Sequence, residues 1–527
     1  MIDAEDLEEA GWPPGSLYAR LIAAARELEG RGIRDKAYLL KLLARDFPKP
    51  DPKVRRRQDP LPFAEAIEAT CEEDETNIVA VRRTMRQLMR TPVIAAGAVM
   101  PDACPAGAAE ATIPVGGAIA VEGAIVPAAH SADICCSLYA TFFRSDEDPS
   151  HLLDCIQAST RFGPGGRSPD DLVPHPVIDE PVWDNRFLSG LRAHATMHMA
   201  DQGDGNHFAF LGRMRVGPDL VATLSEAGHR DLSEPLHSEM KSSPGGETTE
   251  VLALVTHHGS RGLGAHVFKR GHKAAIRETA RIAEGIPAAA AWLDIETSLG
   301  EEYWEALRYV GRWTRANHES IHARFLERSG ADPVAAFGNE HNFVWRRGDL
   351  FLHGKGATPA WKDDSGRPLL GLIPLNMAEP ILVTLGRDNS DYLSFAPHGA
   401  GRNRSRSAMM RDFRLSGGEV DEKRVKRTIA DTTRGLDVRW WHGRADLTET
   451  PIAYKPAVQV REQIERFGLA DVVGEIEPLG SLMAGDAGPR PWASRSEQLT
   501  PKQIRQMDHR AQRRKARQRR WEDEIEG

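Results

Sequence analysis

Cysteine is scarce in this chain: among 527 residues there are only Cys71, Cys104, Cys135, Cys136 and Cys155. An odd count with an adjacent pair, in a chain this long, argues against a disulfide framework and for a reducing compartment. A cytoplasmic location is therefore expected. Long apolar runs are missing too. None approaches the roughly 20 residues that cross a bilayer, so no membrane partner is expected. The start, Met1-Ile2-Asp3-Ala4-Glu5-Asp6, is acidic, with neither the basic nor the apolar stretch of a signal peptide. No C-x-x-C pair occurs, which argues against a zinc finger. No internal repeat is found.

What is present is an ordinary globular composition, 41% hydrophobic and 27% charged, which suits a sizeable core. Helical periodicity over 14–46 is carried by Leu17, Leu21, Ile22, Ala25, Leu28, Tyr38, Leu39, Leu42 and Leu43. The prolines of 48–52 break it, and Arg55-Arg56-Arg57 reads as a solvated basic cluster. Residues 1–60 are thus expected to be a helical extension with a linker. Residues 90–145, rich in Ala, Gly, Val, Ile and Pro, predict short buried strands and turns. Residues 265–330 predict helix, chiefly over 274–288 and 303–328. Residues 340–412 return to strands and loops, and 456–468 predict an amphipathic helix. Conspicuous polar loops run from 102 to 406, so they must meet in one compact unit. That unit is expected over 61–485, with 486–527 as a linker and tail. The net charge of −8 conceals a basic tail: nine Lys or Arg and a lone Asp508 lie between Lys502 and Arg520. Such a helical tail neutralises phosphates and points to a nucleic-acid partner.

Five of these loops carry the chemistry. They are Asp133-Ile134-Cys135-Cys136; Gly203-Asp204-Gly205-Asn206-His207-Phe208; Thr256-His257-His258-Gly259-Ser260-Arg261-Gly262; Glu340-His341-Asn342; and His398-Gly399-Ala400-Gly401-Arg402. Carboxylate, thiol and imidazoles together suit divalent transition metals, among which the donor types alone do not choose. In the last loop glycines allow close backbone approach, arginines offer forks for phosphate oxygens, and the imidazole can serve as nucleophile, acid or metal ligand.

The order and wording of these loops resemble the RtcB family of RNA ligases. The resemblance runs from Met100-Pro101-Asp102 through the five loops, Gly354-Lys355-Gly356-Ala357-Thr358 and Ala453-Tyr454-Lys455 to about Gly485. It implies an α+β fold, a mixed β-sheet core with surrounding helices and a central metal site. It implies joining of RNA 3′-phosphate or 2′,3′-cyclic phosphate ends to 5′-hydroxyl ends, in RNA repair or tRNA splicing. By resemblance two Mn²⁺ would be held by Asp133, Cys136, His207, His257 and His341, with Cys136 bridging. GTP would meet Asn206, Lys355, Asn376, His398, Arg402 and Tyr454, with Arg261 adding charge, and His398 would carry GMP covalently. An archease-type activator is a further implied partner.

The chain departs from the family pattern near the nucleotide. Cys104 replaces a His, Cys135 and Ser137 replace glycines, and Gly354 replaces an Arg. The loop Ile373-Pro374-Leu375-Asn376-Met377-Ala378 lacks the usual glycines and serine, and the guanine-contacting Lys has no counterpart in 478–485. A non-ligating RNA-end binder and a metal-dependent cyclic phosphoesterase are the alternatives these departures raise.

Overall fold

The computed structural model describes residues 2–12, 17–47, 54–107, 109–243, 246–413, 415, 420–433 and 435–486. The expected linker and basic tail from 487 onward lie outside the described residues.

Two mixed sheets organise the α+β body. In chain order the strands used below are β1 (Ala64–Glu65), β2 (Ile94–Cys104), β3 (Val115–Glu122), β4 (Ser137–Arg144), β5 (Phe208–Val216), β6 (Thr249–His258) and β7 (Asp332–Glu340). They continue with β8 (Asn342–Arg347), β9 (Leu350–Lys355), β10 (Leu370–Pro374), β11 (Ile381–Gly386), β12 (Asp437–Trp440) and β13 (Ala470–Met483). The larger sheet runs β7-β4-β6-β5-β13-β11-β10, antiparallel at every step, with β12 parallel to β13. The smaller sheet runs β8-β9-β3-β2-β1.

The central strands are buried along almost their whole length. Ser137–Phe143 of β4 and Ala253 with Leu254–His258 of β6 lie inside, as near-continuous apolar runs require when both sheet faces are covered. One cover is the helix Ser298–Ser329. The Thr297 hydroxyl caps it by accepting from the Gly300 N–H at 3.1 Å, and left-handed Gly330 ends it. Tyr303, Leu307, Val310, Trp313, Asn317, Ile321 and Phe325 recur at helical spacing and are all buried. Each large apolar side chain buried this way contributes roughly 1.5–3 kcal/mol.

Four expectations change. The periodicity over 14–46 resolves into two helices, Leu17–Gly30 and Lys36–Asp46, because Gly32 at φ +90 turns the chain and Asp35 caps a new helix at Tyr38. These helices, with Ile2, Leu7 and Trp12, bury a small core of their own. Arg56 and Arg57 are not solvated: Arg57 donates to the carbonyls of Thr91, Pro92 and Ile94, and Arg56 pairs with Glu110 at 2.6 Å. Helix does not continue over 274–288 but stops at Ile282, since Ala283–Glu284 pairs as a strand with Val54–Arg55. Within 340–412 the segment Arg406–Asp412 is helical.

Candidate active site

Antiparallel order brings sequence-distant loops to one edge of the larger sheet. Glu340 at the end of β7 pairs with Ser137 at the start of β4; Ser137 pairs with His258 at the end of β6; His257 pairs with Phe208 at the start of β5. Residues just before β4 and β5 and at the ends of β6 and β7 therefore converge, and these are Cys136, His207, His257 and His341. Two donor groups result, Cys136–His257–His341 and Asp133–Cys136–His207, each with ligand atoms within 4.8 Å of one another. Cys136 belongs to both.

The spacings suit a cation. Cys136 Sγ lies 3.2 Å from His257 Nε2 and 3.6 Å from His207 Nε2. His257 Nε2 is 3.2 Å from His341 Nε2, and His207 Nε2 is 3.0 Å from Asp133 Oδ2. Donors on bonds of about 2.1 Å in a tetrahedron stand roughly 3.4 Å apart. Burial holds His257 at a pKa of about 3, with His207 adding to the effect, and drives His341 well below the usual range. Both rings are thus neutral and present lone pairs. The other nitrogen of His257 faces the Asn206 carbonyl at 3.3 Å, which fixes Nε2 as the ligand atom. Burial opposes charge on Asp133, yet the neighbouring His207 brings its pKa down to about 2. Burial, reinforced by Asp133, pushes the Cys136 thiol well up; a bound cation is what would ionise it. The residues fit a divalent transition metal.

Local backbone explains the loop wording. Cys135 adopts φ +58, a left-handed conformation that glycine takes without strain, so a side chain here costs about 1 kcal/mol or more. Its N–H still donates to the Asn342 carbonyl at 2.6 Å. A Cβ on Gly259 would sit 2.0 Å from Asp133 Oδ1, so any larger residue would displace that carboxylate.

His398 stands beside this centre. Its ring centroid is 4.8 Å from that of His341. Nδ1 lies 2.5 Å from Oδ2 of Asp102, and the His398 backbone N–H donates to the same oxygen at 3.2 Å. Asp102 is fully buried. Gly401, at φ +71, brings the His398 loop against the Asp102 backbone, where a Cβ would stand 2.1 Å from the carbonyl oxygen. With Nδ1–H donating to the carboxylate, Nε2 keeps its lone pair. Asp102, within Met100-Pro101-Asp102, is a functional candidate that the sequence pattern alone does not mark. The available signal was a lone carboxylate inside an apolar strand.

Asp133, Cys136, Asn206, His257, His341, Lys355, Asn376, His398, Arg402 and Tyr454 all line one cavity of about 420 Å³. His207 reaches the site through its donor group. Lys355 is buried, which lowers its pKa to about 8, and its ammonium donates to the Ile113 carbonyl at 3.3 Å. Arg402 lies 5.3 Å from the Tyr454 ring and 3.6 Å from Glu449. The Tyr454 hydroxyl donates to Glu449 at 2.6 Å, and Asn376 Oδ1 accepts the Ala378 N–H at 2.9 Å. Arg261 departs from expectation: it is absent from the cavity lining and donates to the Gly163 carbonyl at 2.8 Å.

The family model for the tRNA-splicing ligase RtcB matches residues 184–484, more than half of the chain. The chain belongs to the RtcB family. Among curated members, the tRNA-splicing ligase RtcB of Thermococcus kodakarensis is 26% identical over 72% of this chain and 86% of its own length. The Escherichia coli RNA-splicing ligase RtcB2 is 25% identical over 70% and 84%. The Archaeoglobus fulgidus tRNA-splicing ligase RtcB is 27% identical, over 44% of this chain and only about half (52%) of that protein. Membership in the RtcB family accords with the α+β architecture and with the buried His, Cys and Asp cluster. No described helix is long and apolar enough to cross a membrane.

Proposed function

We propose that this RtcB-family chain is an RNA ligase that joins 3′-phosphate or 2′,3′-cyclic phosphate ends to 5′-hydroxyl ends, in RNA repair or tRNA splicing, with His398 carrying a nucleotide between steps. The observation that supports it most is His398, backed by Asp102 at 2.5 Å and set against the donor groups in the same cavity. Asp102 keeps the proton on Nδ1, so Nε2 of His398 attacks the α-phosphorus of a nucleoside triphosphate. The N–P bond forms as the bond to the β-phosphate oxygen breaks, and pyrophosphate leaves with the electron pair. Asp102 offsets the positive charge that grows on the ring. The nucleotidyl group then passes to an RNA 3′-phosphate, which frees His398, and the 5′-hydroxyl displaces the mononucleotide as the phosphodiester forms. Lys355 and Arg402 line the same cavity and would meet the phosphates.

Asp133, Cys136, His207, His257 and His341 would hold the two Mn²⁺ of this reading, which supply Lewis acidity toward phosphoryl oxygens and lower the pKa of bound water. The RNA ends, the triphosphate and an archease-type activator are its partners, with a cytoplasmic setting expected from the free cysteines. Incubation with α-labelled nucleoside triphosphates and Mn²⁺ should leave acid-labile label on the protein and none on His398→Ala. Absence of label with every triphosphate would overturn the reading in favour of an RNA-end binder or a cyclic phosphoesterase.

A further inference from the structure

The cavity lining falls into two chemical sets. His398, Lys355 and the donor groups form one, suited to phosphates. The other lies on one face of the larger sheet. Phe208 and Phe210 of β5 oppose Met483 and Ser481 of β13 in register, and Ile381 of β11 extends the same lining. Phe210, Ile381 and Met483 are at most 4% exposed. Ser481 is 1% exposed, and its hydroxyl finds no hydrogen-bond partner among the described residues.

Carboxylates are accounted for elsewhere. Those lining the cavity are Asp133, which is in a donor group, and Glu449. One oxygen of Glu449 accepts from Arg406 at 3.0 and 2.6 Å, and the other accepts from the Tyr454 hydroxyl at 2.6 Å. This sheet face therefore offers a base two aromatic rings, apolar side chains and one unsatisfied hydroxyl, while the cavity's side-chain amides, Asn206, Asn342 and Asn376, belong to neither β5 nor β13.

We propose that the nucleotide taken by this cavity carries adenine rather than guanine, with Ser481 reading the base; this rests on the reading of His398 as the nucleotide carrier. A hydroxyl is both donor and acceptor. Adenine presents that same pair in reverse at N6–H and N1, and its remaining edge, C2–H, is apolar. Guanine can meet the hydroxyl with O6 and N1–H, but its 2-amino group then faces the Phe208, Phe210 and Met483 side chains beside Ser481, which offer no acceptor. Buried unpaired donors are costly, and one of them shifts affinity by roughly ten- to a hundredfold.

The test uses the full-length protein with Mn²⁺ and α,β-methylene triphosphates, whose α-phosphorus cannot be transferred, so equilibrium dialysis reads binding alone. The adenosine analogue should bind at least about tenfold tighter than the guanosine analogue. The inosine analogue, guanine without its 2-amino group, should bind more tightly than the guanosine one. Ser481→Ala should weaken the adenosine analogue and shrink its advantage over the guanosine analogue. Guanosine binding as tight as adenosine, inosine no better than guanosine, or failure of both purines to bind would each overturn the inference. Adenosine-selective binding without transfer from α-labelled ATP would uphold it and instead overturn His398 as nucleophile.

Discussion

Asp102 meets His398 twice through one oxygen, at the ring nitrogen Nδ1 and at the backbone N–H. The contact spans 296 positions of sequence and ties a strand of the smaller sheet to the glycine loop that bears the proposed nucleophile. Its other carboxylate oxygen is buried without a partner among the described residues. The pair therefore acts as a fixed orienting device.

Asp102→Asn keeps size and removes charge, so it permits the wrong tautomer of His398. Self-labelling should slow by two to four decades, in line with the loss of comparable orienting carboxylates. Single-turnover labelling of a variant with native circular dichroism measures this. A rate within threefold of the parent would remove Asp102 from the reaction.

Cys136 contributes to both donor groups, so Cys136→Ala should lower the affinity for each ion, unlike His341→Ala, which touches one group. Metal analysis after gel filtration should find fewer than one ion bound at micromolar Mn²⁺. With Co²⁺ the thiolate charge-transfer absorption should vanish. Its persistence would place the thiolate elsewhere.

Acid should unfold the metal-free protein early. Burial depresses His130 to about 4 and His257, His322 and His353 to about 3, and holds His258, His318 and His341 well below the usual value. Unfolded histidines take up protons near pH 6.5, which the folded rings refuse, so stability falls as pH drops below that value. Each ring removes up to about 1.4 kcal/mol per pH unit in that window, down to its folded pKa. Melting temperature in chelator should fall steeply from pH 6.5 to 5; a flat profile would contradict the buried neutral rings.

Lys455 and Asp74 form an ion pair at 2.9 Å, with side chains 3% and 2% exposed. It joins the helix Glu72–Leu88 to the segment whose Lys455 N–H donates to the Gly401 carbonyl of the His398 loop. Lys455→Met strands a buried carboxylate and should cost about 3–5 kcal/mol in denaturant unfolding. Adding Asp74→Leu should recover most of it. Equal losses in the single and double variants would show that the pair is uncoupled.

Deleting residues 500–527 should weaken RNA binding and flatten its salt dependence, since nine basic residues leave with the segment. Filter binding from 50 to 300 mM salt reads the slope, and an unchanged slope would exclude the tail from the RNA site.

Much of the centre was legible because metal and phosphate chemistry use rare residues in compact loops: Asp133, Cys136, His207, His257 and His341 announce themselves among glycines. Asp102 did not, since one carboxylate in an apolar strand carries no periodic signal. The strand β13 was equally hidden, because Gly474, Glu475, Pro478 and Gly480 interrupt its alternation while its pairing with β5 and β11 sustains it. Long-range partners such as Asp74 for Lys455 leave no trace in spacing at all.

The convergence of four strand ends has a consequence for biosynthesis. Donors arrive at Asp133 and at His341, the orienting acid at Asp102, the proposed nucleophile at His398, and the sheet face of the cavity is finished by Ser481 and Met483. Contacts this distant close late, after the loop entropy between them has been overcome. A ribosome-bound chain that ends before β13 would hold the thiol and imidazoles in a cavity without that face. Premature metal capture, and oxidation of Cys136, would then be hazards of the nascent chain more than of the finished protein.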